Sequence, residues 1–435
     1  MELKKYALSD VCTIVPGFAF KSKDFGSGEN IAVKIKDIEP PSVNIKNAER
    51  VCFTPQDKFR LSEGDYIMAM TGATIGKVGK LQIDAKNVYI NQRVCKFNPF
   101  TSVCDKEYLY YVLSTSSFRN FIYNNVDSKL AQPNIGHTTI YKYTHLFPSN
   151  IKEQKLIASV LNNIDRKIEL NKQINDNLEA MARQLYDYWF VQFDFPNENG
   201  KPYKSNGGKM VWNEKLKRNI PNKWNNGILS NIANITMGQS PDGSSYNENG
   251  NGTIFYQGST DFGIRFPSIR KYTTAPSRFA KKGDILMSVR APVGAMNIAN
   301  NDCCIGRGLT SLSSKVGSTT HLYYILDDLR MKFENINSAG TTFGALTKDG
   351  LYGLPVVVPS VDIIKQFEDI CKPIFDKQMC IGEEINALTK QRDELLPLLM
   401  NGQATVNYHL SFGILFVYLF LYSQNMKYIW QQKIY

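Results

Sequence analysis

Basic residues interleaved with aromatic ones dominate the stretch FGIRFPSIRKYTTAPSRFAKKGDILMSVR, residues 262–290, which holds seven basic residues against the single acid Asp284. Guanidinium and ammonium groups at this density suit contacts with DNA phosphates, and an arginine can also bind the O6 and N7 atoms of guanine. A solvated basic face is the alternative, and it fits any one of these residues equally well. The predicted DNA-binding residues of this half of the chain are Arg265, Arg270, Lys271, Arg278, Arg290 and Arg307.

Two of these arginines follow segments that predict rigid structure. Arg290 comes directly after the apolar run ILMSV, and Arg307 lies in the glycine-flanked stretch CIGRGLTSL, residues 304–312. Side chains on rigid elements are aimed more accurately than side chains on open loops. We therefore expect Arg290 and Arg307 to be the stronger candidates for contacts with bases.

The N-terminal half offers a second, more polar set of candidates. Two lysines lie in FAFKSKDFG, one arginine in INQRVCKF, and several polar residues in SKLAQPNIGHTT, residues 128–139. Glutamine and asparagine present the donor–acceptor pair that matches adenine in the major groove. A loop that caps the domain explains residues 128–139 equally well. The predicted DNA-binding residues here are Lys21, Lys23, Arg93, Lys129, Gln132, Asn134 and His137.

Residue spacings typical of catalysis or metal binding are missing. GATIGKVG, residues 72–79, has three residues between its first and second glycines, where a phosphate-binding loop has four. In addition, Val78 occupies the position at which Ser or Thr would bind magnesium. The eight cysteines include no CxxC pair, and the four histidines lie far apart, so zinc-type spacing is absent. The sequence therefore predicts no catalytic residue, no metal site and no cofactor.

Composition limits the class of protein. A chain of 435 residues with 43% apolar and 21% charged residues is long enough for two or three folded domains. Its net charge of +11 favours an anionic partner such as nucleic acid, although other basic proteins share that balance. The N-terminal MELKKYALSD has no apolar run after its lysines, so we expect a cytoplasmic protein with reduced thiols that is not associated with a membrane.

Two segments about 210 residues apart carry the same heptad pattern. Either one alone fits an amphipathic helix packed on its own domain, but the repetition favours two helices whose apolar seams meet. Two asparagines interrupt the first seam, and we expect them to fix its register. The predicted seam residues are Ile157, Leu161, Ile164, Ile168, Asn171, Asn175, Leu178 and Leu185 in the first segment, and Phe367, Ile374, Ile381, Ile385, Leu388 and Leu395 in the second.

The segments outside these helices repeat as well. LSEGDYIMAMTGATIG (61–76) is echoed by AKKGDILMSVRAPVG (280–294), and YLYYVL (108–113) by HLYYIL (321–326). We predict an α+β fold of two tandem domains, each followed by a long helix. The predicted boundaries are 1–150 for the first domain, 151–190 for the central helix, 191–225 for a linker rich in Gly, Asn, Pro and Lys, 226–360 for the second domain, 361–402 for the C-terminal helix and 403–435 for an apolar aromatic tail.

Connectivity then predicts how the helices pair. A helix of about 35 residues is roughly 50 Å long, so the central helix carries the chain far from the first domain before the second begins. If the two seams pack together, the C-terminal helix must return antiparallel to the first. The expected arrangement is an antiparallel coiled coil with a globular domain at each end and pseudo-twofold internal symmetry.

The order and duplication of these segments resemble the specificity subunit of a type I restriction-modification system, over nearly the whole chain to about Val406. The motifs that carry the resemblance are GDYIMAMTGATIG, GDILMSVRAPVG, CIGRGLTSL, the block LFPSNIKEQKLIASVLNNIDRKIELNKQINDNLEAMARQLYDYWF (146–190) and QRDELLPLLMNGQATV (391–406). The resemblance implies a non-catalytic DNA reader with two target recognition domains. Each domain would read one half of an interrupted, asymmetric site, while the helices set the spacing and recruit modification subunits.

The resemblance also implies the partners: double-stranded DNA, two methyltransferase (M) subunits, and restriction (R) subunits in the full complex. A basic scaffold that binds another anionic or protein partner is the alternative. The tail departs from the family, because dense aromatic residues continue beyond Val406. Its uninterrupted apolar core of about 13 residues is too short for a comfortable membrane span. Either it packs on the first domain, or it is the product of a frameshift or rearrangement.

Overall fold

The computed structural model of the chain describes residues 2–126, 133–338, 346–411 and 414–421. The chain divides into two compact units: unit 1 comprises Met1–Ile168 and Leu388–Tyr435, and unit 2 comprises Glu169–Ala387. Both divisions fall inside long helices. Each unit therefore holds a mixed α+β domain together with parts of two helices.

The domain of unit 1 contains three groups of short strands. These strands are β1 (Leu3–Ala7), β2 (Cys12–Pro16), β3 (Phe25–Val33), β4 (Ile38–Glu39), β5 (Ser42–Val43), β6 (Glu49–Val51), β7 (Tyr66–Ala69), β8 (Val78–Lys80), β9 (Val88–Ile90), β10 (Val94–Pro99) and β11 (Thr144–Pro148). The main sheet has the order β2-β10-β7-β8-β5-β4, a second sheet the order β6-β3-β9, and β1 pairs with β11. Strand β7 is buried along its whole length, as its apolar sequence YIMA predicts.

Helices cover the main sheet of unit 1. They are α1 (Leu8–Val11), α2 (Lys106–Ser114), α3 (Ser116–Asn124), α4 (His137–Ile140) and the first part of α5 (Ile151–Tyr186). Helix α2 begins at Lys106 because the Asp105 carboxylate accepts hydrogen bonds from the backbone N–H groups of Glu107 and Tyr108. Its six apolar residues from Tyr108 to Leu113 are buried, and they join the same core as Leu161 of α5.

Unit 2 repeats this plan with different loops. Its strands are β12 (Met210–Asn213), β13 (Arg218–Pro221), β14 (Asn225–Ile228), β15 (Ala233–Met237), β16 (Tyr246–Asn247), β17 (Thr253–Tyr256), β18 (Tyr272–Thr273), β19 (Phe279–Ala280), β20 (Ile285–Ser288), β21 (Met296–Ile298), β22 (Cys303–Ile305), β23 (Leu309–Ser314) and β24 (Pro355–Val358). Its helices are the second part of α5, α6 (Leu229–Ile232), α7 (Thr319–Ser338), α8 (Lys348–Tyr352) and the greater part of α9 (Val361–Met400).

Sheet topology confirms the internal duplication that the sequence predicts. The order β2-β10-β7-β8 of unit 1 recurs in unit 2 as β15-β23-β20-β21. The parallel pair β3 and β9 recurs as β17 and β22. The antiparallel pair β1 and β11 recurs as β14 and β24. The two α+β domains are therefore copies of one architecture.

The long helices α5 and α9 run antiparallel, as predicted. In unit 2, Asn171 donates to the Glu384 carboxylate at 2.9 Å, and Gln378 donates to the Glu179 carboxylate at 2.9 Å. Residue numbers thus fall along α9 as they rise along α5. In unit 1, the Arg392 guanidinium of α9 donates to the Asp165 carboxylate of α5 at 3.1 Å.

Every predicted seam residue is buried or half-buried. Asn171 and Asn175 lie among the buried residues, and the Asn175 backbone oxygen accepts a bond from Gln378 at 3.4 Å. Their role in fixing the register remains a prediction. The buried seam residues are Ile157, Leu161, Ile168, Asn171, Asn175, Phe367, Ile381, Ile385 and Leu395, and the half-buried ones are Ile164, Leu178, Leu185, Ile374 and Leu388.

The segment predicted as a linker, residues 191–225, is a folded part of unit 2. Strands β12 and β13 form a hairpin within it, and Phe193, Phe195 and Trp224 are buried in the core of the unit. The aromatic residues of this segment thus make it a folded connection instead of an open chain.

After α9 the chain forms β25 (Ala404–Ser411) and β26 (Ile414–Leu421), which pair antiparallel. The origin of this tail stays a prediction. Among the described residues, none of the helices combines the length and the apolar run that a membrane crossing needs.

Candidate nucleic-acid interface

At one end of β20 and β23 in unit 2, two of the predicted arginines lie side by side. The strands are antiparallel, and just beyond them the Val289 N–H donates to the Gly308 carbonyl oxygen at 2.9 Å. The same register places Arg290 opposite Arg307. Both side chains are exposed, and neither guanidinium has an ion pair or hydrogen bond with another described residue. Two unpaired cations therefore face solvent together.

Glycines on both sides of Arg307 hold its loop close to the rest of the domain. A Cβ atom at Gly306 would lie 3.1 Å from the Gln257 Cα atom, and one at Gly308 would lie 2.8 Å from the Gln257 carbonyl oxygen. The loop is also tied by the Arg307 N–H, which donates to the Ser240 hydroxyl at 3.2 Å. Arg307 is thus displayed from a rigid backbone, as its glycine-flanked sequence predicts.

Arg278 lies beside β22, the strand of the five-stranded sheet that leads into Arg307. The Ile305 N–H donates to the Arg278 carbonyl oxygen at 2.9 Å, two residues before Arg307. Its side chain is exposed and has no ion pair with another described residue. We call the surface formed by Arg278, Arg290 and Arg307 the arginine edge.

Two other predicted residues of unit 2 are already engaged. The Arg270 guanidinium donates to the Asp261 carboxylate at 2.6 Å, although its side chain remains 52% exposed. The Lys271 ammonium lies 5.9 Å from the centre of the Tyr246 ring. Each of the two side chains is therefore only partly available for a DNA contact. A DNA contact by either residue stays a prediction.

Arg265 does not lie on the basic surface where the sequence places it. It is 9% exposed, and its guanidinium donates to Glu179 of α5 and Gln378 of α9, each at 3.0 Å. The Cζ atom of the guanidinium lies 4.6 Å from the centre of the Phe375 ring. This geometry corrects the prediction of a DNA contact, because a buried guanidinium that binds both helices cannot also reach a phosphate.

Unit 1 carries the same backbone pattern with different side chains. The Met70 N–H donates to the Arg93 carbonyl oxygen at 2.9 Å, in the manner of Val289 and Gly308 in unit 2. The register of β7 and β10 then places Thr71 opposite Gln92. These two residues occupy the positions of Arg290 and Arg307. We call the surface formed by Thr71, Gln92, Arg93 and Asn134 the polar edge.

Two of the predicted residues of unit 1, Arg93 and Asn134, belong to the polar edge. Arg93 is exposed within it, and Asn134 is bridged to Thr71. Lys21 and Lys23 are exposed on a turn whose Asp24 carboxylate accepts from the Lys21 N–H at 2.8 Å. His137 is exposed at the first residue of α4, whereas Lys129 and Gln132 lie outside the described residues.

An aromatic surface beside the polar edge was not predicted from the sequence. Phe18 forms a bridge to Asn91, and its ring stacks on that of Phe53 with centroids 5.2 Å apart and planes 9° apart. Phe53 is 44% exposed. An exposed aromatic face can make the apolar contact that recognises the methyl group of thymine.

A repeated glycine was the signal that could have located both edges. A Cβ atom at Gly17 would lie 2.0 Å from the Asn91 carbonyl oxygen, and one at Gly238 would lie 2.2 Å from that of Gly306. The stretches VPGFAF (15–20) and TMGQSP (236–241) therefore hold equivalent glycines. The backbone at Gly17 packs closely against the loop that carries Gln92, and the backbone at Gly238 packs closely against the loop that carries Arg307.

The thiols do not suggest catalysis. Burial raises the pKa of Cys12, Cys303 and Cys371 to about 12, so these thiols stay protonated and unreactive at neutral pH. Cys52 and Cys380 are exposed. In the described part of the chain, no group of three or more His, Cys, Asp or Glu residues is arranged to hold a metal ion.

Comparison with known proteins identifies the architecture. The family model described as "Type I restriction modification DNA specificity domain" matches residues 1–180 and 221–390. The putative type I restriction enzyme MjaX specificity subunit of Methanocaldococcus jannaschii is 30% identical over 359 residues, which cover 80% of each chain. The type I restriction enzyme HindI specificity subunit of Haemophilus influenzae is 22% identical, over 80% of this chain and 88% of the relative.

A solved structure shows the same fold. The crystal structure of the S subunit of a type I restriction-modification system from M. genitalium superposes with a TM-score of 0.58 at 18% identity. The match covers 92% of this chain and 96% of that one. It includes both domains and both long helices.

Proposed function

The chain belongs to the type I restriction-modification DNA specificity family, and from that premise we propose how its residues divide the reading of DNA. As a specificity subunit it selects the DNA sequence and is not itself a catalyst. We propose that the arginine edge of unit 2 reads one half of an interrupted site and that the polar edge of unit 1 reads the other half.

The observation that carries this proposal is the shared position of the two edges. Both lie where the paired central strands β7 and β10, or β20 and β23, give way to loops fixed by equivalent backbone hydrogen bonds. The arginine edge adds three exposed cations without partners among the described residues. Rigid display, exposure and positive charge are the properties that a base-reading surface needs.

The side chains at equivalent positions predict an asymmetric site. Arg290 and Arg307 suit the two acceptors of guanine, whereas Gln92 suits the donor–acceptor pair of adenine. We propose that the half-site of unit 2 contains guanine at the central contacts and that the half-site of unit 1 contains adenine. Lys21 and Lys23 beside the polar edge would bind phosphates and fix the orientation of the duplex.

The long helices supply the spacing. Helix α5 has 36 residues, which corresponds to about 54 Å at 1.5 Å per residue. It begins in unit 1 and ends in unit 2, whereas α9 begins in unit 2 and ends in unit 1. We propose that their common length sets the number of unread base pairs between the half-sites.

The partners follow from an exposed apolar face of α5 within unit 2. Leu170, Ile174 and Met181 are 47%, 44% and 57% exposed, and their spacing puts them on one side of the helix, away from the seam. Such a patch marks a protein-binding surface. We propose that it docks a methyltransferase (M) subunit, with two M subunits in the modification complex and restriction (R) subunits added in the cytoplasm. A scaffold for an unrelated anion is not favoured, because the family match spans both domains.

Two measurements test this function. Single-molecule sequencing of genomic DNA with and without the gene should return one interrupted, asymmetric motif with modified adenine. Binding of the purified chain with its M subunits to that motif should weaken steeply with salt, because each neutralised phosphate releases counterions. A complex that modifies no motif and shows no preference among random duplexes would contradict the proposal.

A further inference from the structure

One loop of unit 2, Phe262–Pro267, connects the recognition domain to both long helices. It is fixed to the domain by Asn297, whose side chain accepts from the Gly263 N–H at 3.0 Å and donates to the Gly263 carbonyl oxygen at 3.1 Å. In addition, the Ile298 N–H at the end of β21 donates to the Arg265 carbonyl oxygen at 3.0 Å. The loop is therefore a rigid extension of the sheet that carries the arginine edge.

The Arg265 side chain fixes this loop to the helices. It donates to Glu179 of α5 and to Gln378 of α9, and Gln378 in turn donates to Glu179 at 2.9 Å. The guanidinium lies 4.6 Å from the Phe375 ring and 5.2 Å from the Tyr323 ring. A planar, bidentate donor is required, since one group has to bind acceptors on two different helices.

Phe266 adds a steric contact at the neighbouring position. It is 3% exposed, and a Cβ atom at Gly382 of α9 would lie 2.6 Å from its ring. Glycine in a helix interior is less favourable than alanine. The space that Gly382 leaves is filled by Phe266, which explains why a poor helix former stands there.

Unit 1 uses the equivalent position differently. There the Lys80 N–H at the end of β8 donates to the Pro41 carbonyl oxygen at 2.9 Å, as Ile298 does to Arg265. Pro41 also accepts from the Tyr110 hydroxyl at 3.1 Å, and Tyr110 is the counterpart of Tyr323 in the repeated motif. The position touches the helical layer in both units. Among the described residues at this position, however, only Arg265 of unit 2 binds both long helices, through an ion pair with Glu179 and a hydrogen bond to Gln378.

We propose that Arg265, with Phe266, is a positioning residue that fixes the angle of the second recognition domain on its helix pair and thereby sets how strictly the gap between half-sites is measured. The inference rests on the proposed function. A change of one base pair in the gap moves the second half-site by about 3.4 Å and rotates it by about 34°. A domain free to tilt on its helices would tolerate that change, and a fixed one would reject it.

The test uses the full chain assembled with its M subunits and duplexes that carry both half-sites at the natural gap, one base pair shorter and one longer. The wild type should bind the natural gap at least about tenfold more tightly, a difference of about 1.4 kcal/mol. Arg265→Met should reduce that ratio to about threefold or less while base preferences within each half-site stay unchanged. Arg265→Lys should lie between, since an ammonium retains the charge but not the planar fork.

Two further variants separate the positioning role from a loss of folding. Gly382→Ala should favour the helix but displace the buried Phe266 ring, so it should relax the gap preference. The far-ultraviolet circular dichroism of the variant should match that of the wild type and show that the helices remain folded. Lys372→Met removes a cation from α9 whose only described ion pair is with Asp376 on the same helix, and it should leave the gap ratio unchanged.

The outcomes are distinct. A wild-type gap ratio in Arg265→Met and in Gly382→Ala would overturn the inference and leave the proposed function intact. Equal weakening at all three gaps in Arg265→Met would overturn it too, and would indicate a DNA contact or a general loss of structure. Failure of the wild-type complex to prefer any motif would count against the proposed function itself.

Discussion

Arg307 combines exposure, a rigid glycine-flanked loop and the absence of an ion pair with any other described residue. We expect Arg307→Met to weaken binding to the cognate site by about 1–3 kcal/mol and to relax specificity at one base pair of the second half-site, since a bidentate contact with guanine would be lost. Fluorescence anisotropy with duplexes substituted one base pair at a time measures both effects.

The matched control for Arg307 is Lys223→Met. Lys223 is 81% exposed and lies in the segment between the two domains, so the net charge falls by the same amount at a place with no proposed DNA contact. This variant should keep the wild-type base preferences. If Arg307→Met lowered affinity for every sequence equally, the residue would be a phosphate contact instead of a base contact.

His321 gives unit 2 a sensitivity to acid. Burial beside Phe190, whose ring centre is 4.5 Å away, lowers the pKa of His321 from 6.5 to about 3. The folded state therefore keeps the imidazole neutral, and stability present above pH 6.5 is lost as the pH falls towards 3, at up to about 1.4 kcal/mol per pH unit. His321→Phe should reduce this slope.

The fluorescence of Trp189 and Trp224, both buried in the core of unit 2, reports its unfolding in denaturant. Between pH 7 and pH 8 the difference between His321→Phe and the wild type should be constant. Equal slopes below pH 6.5 would show that the imidazole is not kept neutral by the fold.

At the level of single residues, the sequence predicted which side chains are exposed on rigid loops better than it predicted which side chains are buried. Arg290 and Arg307 could be selected because an apolar strand and flanking glycines are local signals of a rigid loop. Arg265 could not be excluded, because its partners Glu179 and Gln378 lie 86 and 113 residues away in the chain. The stacked pair of Phe18 and Phe53 was missed for the same reason, since neither residue has a local pattern that predicts exposure.

Helix α5 has two apolar faces that differ in exposure. The seam residues are buried or half-buried, whereas Leu170, Ile174 and Met181 are exposed. Ile174→Glu should weaken assembly with the M subunit by tenfold or more, because a charge would enter an apolar contact, and should change the stability of the isolated chain by less than about 0.5 kcal/mol. Analytical ultracentrifugation and thermal unfolding measure the two quantities.

Ala180→Glu provides the comparison for Ile174→Glu. Ala180 is exposed on the same helix but lies roughly 80–120° around it from the three residues of the apolar face, at 100° per residue. The same charge there should leave assembly intact. Loss of assembly in both variants would indicate that net charge, not the apolar face, controls docking.

The helices were the most predictable elements. A heptad pattern sustained over about five repeats is a long-range signal that needs no knowledge of tertiary contacts. Strands such as β16 and β18 have two residues each, too few for any periodicity to identify. The packing of residues 191–225 was also hidden, because their abundant Gly, Asn and Pro mask the three aromatic side chains that anchor them.

At the scale of the whole chain, the proposed role of α5 and α9 in spacing the half-sites predicts how the gap changes when both helices are lengthened. Inserting one heptad after Ile168 in α5 and another after Ala387 in α9 lengthens both helices by about 10 Å without shifting the seam. The modified motif should then keep both half-sites and gain about three base pairs between them, at 3.4 Å per pair. Sequencing of methylated DNA from cells that carry the variant reads both quantities at once.

Altered half-sites after the double insertion would refute the division between readers and spacer. The single insertion in α5 alone is the control. It breaks the match between the two helices, so we expect it to abolish modification instead of moving the gap.

The division of the chain between the two units also bears on how the protein is made. Unit 2 is one continuous segment, Glu169–Ala387, whereas unit 1 needs Leu388–Tyr435 as well as its first 168 residues. Leu399 and Met400 lie in the same core as Leu109 and Leu161. At about 5–20 residues per second, the ribosome delivers them roughly 12 to 46 seconds after residue 168. The second domain can therefore complete its fold during translation, while the first waits with an open apolar core until the end of α9 has been synthesised.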